Sequence, residues 1–76
     1  MAGEIINRIK AVLAEEGKTN KWLAGKLGKT EITVSRWSQN RTQPSLDQLV
    51  EIARVLNVET KDLINDNYKM IANRDM

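Results

Sequence analysis

Residues 19–41 read TNKWLAGKLGKTEITVSRWSQNR, and their spacing decides the fold. Leu23, Ala24 and Leu27 recur on one helical face, Gly28 supplies the left-handed residue that stops that helix, and Val34 and Trp37 open a second apolar face. Ala24 is small, so two helices can cross closely there at a steep angle. Two short helices joined by a glycine turn in this way most often lay the second helix in the major groove of DNA.

Outward from this pair the sequence predicts five helices. The first runs from about Glu4 to Glu16, with Ile5, Ile9, Val12 and Leu13 on one face and Gly17 as its stop. Thr19 caps the second, which reaches about Leu27, and Thr30 caps the third, which reaches about Gln39. Asn40 ends the third by taking the left-handed conformation. Pro44 and Ser45 open the fourth, whose core stripe is Leu46, Leu49, Val50, Ala53 and Leu56, up to Asn57. Thr60 caps a short fifth containing Leu63 and Ile64. The reading is an all-α domain over residues 1–65 and a tail over 66–76, DNYKMIANRDM, whose structure stays open.

At 76 residues there is length for one small core. The chain has no cysteine, and no apolar run approaches the roughly 20 residues of a membrane span. Its start, MAGEIINRIKAVLAEEG, places Glu4 early and spaces its apolar residues helically, which is unlike a signal peptide. A cytoplasmic, nucleoid-associated protein is the expectation, with no membrane partner. Net charge is +2, but residues 18–41 hold Lys18, Lys21, Lys26, Lys29, Arg36 and Arg41 against Glu31 alone, a local +5. Residues 45–76 carry a net −2. The basic excess therefore falls on the helix pair, as attraction to phosphates requires, although lysine and arginine on small helices also serve simply as solvated surface.

Projected at about 100° per residue, the third helix gathers Thr30, Val34 and Trp37 on one side and Ile32, Ser35, Arg36 and Gln39 on the other. Glu31 and Thr33 edge the outward arc. An arginine there can donate two parallel hydrogen bonds to guanine O6 and N7; the alternative for Arg36 is a phosphate contact or free solvation. Ile32 has no core to enter, and a thymine methyl would give it a partner, against the alternative of an incidental exposed apolar residue. Glu31 could accept from cytosine N4, or simply complement the helix dipole. Ser35 joins the base-facing set and Gln39 the phosphate-facing set.

The pattern T-x-x-x-LA-x-x-LG-x-T-x-x-TVSRW, then N-R, then PSL-x-x-L-x-x-IA-x-x-L, resembles the Cro/repressor-like helix-turn-helix family, also called the xenobiotic-response-element family, over roughly residues 5–65. The resemblance implies a compact five-helix domain, dimeric binding of a pseudo-palindromic double-stranded operator, and transcriptional regulation. By position it implies that Asn20 touches phosphate, that Glu31, Ile32 and Arg36 face bases, and that Thr33, Asn40 and Arg41 anchor the backbone. Glu31 stands where many relatives carry glutamine, Asn40 where glycine is usual, and Gly25 and Trp22 where charged or polar residues are common. Trp22 is expected to cover the core; approach to the DNA backbone or to a partner are its alternatives.

A homodimer surface is expected late in the chain, where Val55, Val58, Leu63, Ile64, Tyr68, Met70 and Ile71 supply apolar area, unless those residues only close the monomer's own core. The inventory is poor for an enzyme: no His, no Cys, no glycine-rich phosphate loop, no HExxH and no paired carboxylates in an evident cleft-forming setting. Adjacent Glu15 and Glu16 read as a solvated helix end. No cofactor or metal is expected. The remaining rival is a protein-interaction module on the same fold, such as an antitoxin whose partner binds the tail.

Overall fold

The computed structural model describes residues 5–66 of the chain. Within them lie α1 (Ile9–Glu15), α2 (Asn20–Leu27), α3 (Glu31–Ser38), α4 (Leu46–Leu56) and a 3-10 turn (Thr60–Leu63). Hydroxyl caps start the three helices after α1. Thr19 Oγ1 accepts from the Trp22 amide at 3.0 Å, Thr30 Oγ1 from Thr33 at 3.2 Å, and Ser45 Oγ from Gln48 at 3.1 Å. Each satisfies one of the amides that a helix start leaves without a partner. The ends follow the same logic: Gly28, Asn40 and Asn57 all adopt positive φ, at 67°, 59° and 58°. Asparagine is the non-glycine side chain best suited to that region, since its short amide can bond locally.

One apolar cluster joins the elements: Ile9, Val12 and Leu13 of α1, Leu23 and Ala24 of α2, Val34 and Trp37 of α3, Ile52, Ala53 and Leu56 of α4, and Leu63. Ile9, Leu23, Val34, Ile52 and Leu63 are wholly enclosed, and burying each contributes about 1.5–3 kcal/mol. α2 packs against both α3 and α4, so the helix pair is braced from behind by α4 while the far side of α3 stays open to solvent.

Three expectations are corrected. Four α-helices replace five among the described residues, because the last is a single 3-10 turn. Its N-cap is Glu59, not Thr60: the Asp62 carboxylate accepts from the Glu59 amide at 3.1 Å in a capping box. Ile64 then leaves in an extended conformation, pairing with Asn7 in an isolated antiparallel bridge. That bridge also explains why α1 starts late. Arg8 N donates to Leu63 O at 2.8 Å and Asn65 N to Ile6 O at 2.7 Å, which holds residues 6–8 extended. The helix begins only where Asn7 Oδ1 accepts from the Ile9 amide, so Ile5 is 65% exposed rather than part of an apolar face. Glu4 lies outside the described residues.

The third correction is rotational. In α4 the buried stripe is Ile52, Ala53 and Leu56, flanked by half-buried Leu49, while Leu46 is 73% exposed and Val50 39%. Apolar residues occupy more than half the circumference of α4, so its sequence permits either rotation and the contact with α2 selects one.

Candidate nucleic-acid interface

α3 presents its solvent side as a shallow concavity lined by Glu31, Ile32, Ser35, Arg36, Gln39 and Arg41. Val34 and Trp37 anchor the opposite side in the core, which fixes the rotation of the helix and leaves Ile32 65% exposed. Arg36 and Arg41 are exposed and form no hydrogen bond or ion pair through their side chains among the described residues. Gln39 Nε2 donates to Ser35 Oγ at 3.1 Å, one turn back along the same face. The Arg41 amide donates to Arg36 O at 2.9 Å, so the chain turns back over the end of α3 and returns a second guanidinium to the concavity.

Two of the three remaining phosphate candidates lie at the margins. Thr33 is half-buried, with its hydroxyl 3.0 Å from that of Thr30. Asn20, also half-buried, is the first residue of α2, beside the basic side chain of Lys21. Asn40 does not line this concavity. It is 8% exposed, and its amide is used inside the fold: Oδ1 accepts from Ile6 N and Asn7 N, each at 2.9 Å, and Nδ2 donates to Asn7 O at 3.2 Å. Its oxygen and one of its two Nδ2 hydrogens are thus engaged inside the fold, and the amide is buried.

Two polar residues next to the site escaped the sequence reading. Asn7 is 4% exposed and donates through Nδ2 to Trp37 O at 2.8 Å and to Gln43 Oε1 at 2.7 Å. Gln43 Nε2 in turn donates to Asn40 Oδ1 at 3.1 Å. A local bond to the Ile9 amide marks Asn7 as a helix-start residue, but the partners of its Nδ2 lie 30 or more positions away and leave no local trace.

Trp22 covers the core, half-buried as expected. The ammonium groups of Lys18 and Lys26 sit 4.7 and 5.7 Å from its ring centroid, within cation–π range, and spread positive charge along α2. Glu15 is paired with Arg8 at 3.2 Å rather than simply solvated. Among the described residues no helix is long and apolar enough to cross a membrane, and no group of three or more His, Cys, Asp or Glu side chains could hold a metal ion.

This assembly, a capped helix pair braced from behind and bearing a cationic concavity on its second helix, has a counterpart among known families. The helix-turn-helix family matches residues 9–63, and the chain belongs to its Cro/repressor-like branch, a family of DNA-binding proteins. Among solved structures it is similar to the crystal structure of a proposed DNA-binding protein from Bacteroides fragilis. Identity is 58%, the TM-score is 0.78, and the alignment covers 79% of this chain and 97% of that one. No curated protein matches.

Proposed function

We propose that this chain is a sequence-specific, double-stranded DNA-binding transcriptional regulator, acting as a dimeric repressor that reads the major groove with α3. The observation that carries the reading is the concavity on α3. Two unpaired guanidiniums and an exposed isoleucine converge there on a helix whose other side is locked in the core. Arg36 sits where it could fork onto guanine O6 and N7, Ile32 in the first turn where it could meet a thymine methyl, and Glu31 and Ser35 beside them. Arg41, Gln39, Thr33 and Asn20 take the phosphates on either side, and the lysines of α2 add long-range attraction.

For the dimer, the sequence reading offered Val55, Val58, Leu63 and Ile64, together with tail residues Tyr68, Met70 and Ile71, which lie outside the described residues. Val55 and Val58 pack half-buried against the core, Leu63 is wholly enclosed and Ile64 is in the bridge to Asn7. Leu46 and Val50, one turn apart on α4, are an exposed apolar pair available for self-association.

Selection from random-sequence duplexes at about 0.1–0.2 M salt tests the reading, since non-specific binding is weak there. A pseudo-palindrome with half-sites about one helical turn apart is the expected product. Enrichment of no motif, with only weak salt-sensitive binding, would overturn it in favour of a protein-interaction module on this fold.

A further inference from the structure

The segment between α3 and α4 carries Gln39 and Arg41 on its outer side and Asn40 on its inner side. Asn40 adopts φ 59° just after α3, and its side chain is buried while those of Gln39 and Arg41 are exposed. Its amide crosses to the segment before α1, where Oδ1 receives the amides of Ile6 and Asn7 and also Gln43 Nε2. Asn7 replies with Nδ2, which bridges Trp37 O, at the end of α3, and Gln43 Oε1, four residues before Asp47 in the run that enters α4. Asn7, Asn40 and Gln43 thus form a ring of amide hydrogen bonds through both ends of the 39–43 segment. The anchor is itself fixed, because residues 6–8 are bonded on their other edge to Leu63 and Asn65. No buried side-chain nitrogen or oxygen is left unsatisfied among the described residues.

A turn that needed only a left-handed residue would be served equally well by glycine. Asparagine adds a hook to the N-terminal segment, and the residue after it is Arg41. We infer that Asn40, Asn7 and Gln43 are positioning residues for DNA binding, which pre-organise Arg41 against the phosphate backbone beside the base-reading face. The inference rests on the DNA-binding reading above and adds residues that themselves touch no DNA. With the hook in place, Arg41 is presented from a fixed turn; without it, the turn must be ordered on binding, at a cost of about two- to tenfold in affinity.

The test is made on the full chain with the duplex that it selects. Failure of the wild-type chain to select any duplex counts against DNA binding itself, not against the hook. Asn40→Gly keeps the left-handed turn and deletes the amide; Gln43→Ala, at an exposed position, removes one side of the ring with less risk to folding. Each is compared alone and combined with Arg41→Ala, by titration over a range of salt. Asn40→Gly should bind about two- to tenfold more weakly with unchanged base preference. Its salt slope should stay that of wild type, because the phosphate contact is still made once the turn is ordered, whereas Arg41→Ala should flatten the slope by about 0.9. In the Arg41→Ala background the same change should cost nothing further. Equal cost in both backgrounds, or an Arg41→Ala variant that binds as tightly as wild type, would each overturn the inference. Gln43→Ala, with smaller effects in the same direction, keeps the test open if Asn40→Gly fails to fold.

Discussion

Arg36 illustrates how one side chain can be assigned by the form of its loss. The exposed guanidinium lies on the outer face of α3 with no partner among the described residues, so base contact and phosphate contact are both within its means. Arg36→Lys preserves charge but not the planar fork. If Arg36 reads guanine, the lysine variant should lose about 1–3 kcal/mol of discrimination at one base pair while its salt slope stays unchanged. If it holds a phosphate, Arg36→Ala should weaken all sequences alike and flatten the slope by about 0.9. Selection repeated on both variants separates the two. Placement of Arg36 and Ile32 was legible in the sequence because a helix converts spacing directly into direction, and Val34 and Trp37 named the inner face. Asn40 was legible only in part. Its left-handed turn follows from residue type, but its amide is consumed by a segment more than 30 positions earlier, and such long-range partners leave no periodic trace.

Within the elements, the caps were the most readable signals and the rotation of α4 the least. Thr19, Thr30 and Ser45 each stand three residues before the amide they satisfy, a local rule that needs no knowledge of the rest of the fold. Thr30→Ala should therefore cost about 0.5–2 kcal/mol in denaturant unfolding and fray the first turn of α3, where Glu31 and Ile32 sit. Rotation of α4 is a tertiary outcome. Ile52 is fully enclosed and Leu46 is mostly in water, although both are large aliphatic residues of one helix. Ile52→Ala should cost about 2–5 kcal/mol by urea titration, and Leu46→Ala less than about 0.5 kcal/mol. Comparable losses at the two positions would mean that the buried stripe of α4 is not the one described. The fifth helix failed as an expectation for a related reason: Thr60 is a good cap by type, yet Glu59 and Asp62 form the reciprocal pair, and Ile64 has the bridge to Asn7 as an alternative to helix.

For the whole molecule, the proposed dimer raises the question of what would hold two copies on one site. Specific protein interfaces bury about 800 Å² on each partner, far more than two aliphatic side chains such as Leu46 and Val50 expose between them. A patch of that size predicts pairing that is weak in solution and strengthened when two half-sites hold the copies side by side, because the second contact is then intramolecular. Leu46→Gln removes apolar character without adding charge near DNA, and at an exposed position it should leave folding intact. It should bind a single half-site like the wild type while losing cooperativity on the two-half-site duplex, measured by titration of both DNAs. A chain ending at Asp66 supplies the opposing outcome. If it abolishes cooperativity and Leu46→Gln does not, self-association belongs to residues 67–76 and the α4 patch is an ordinary exposed surface. If Leu46→Gln alone abolishes it, the copies meet through the helix that braces the reading pair from behind. Dimer geometry would then be transmitted to α3 through α2, which packs against both.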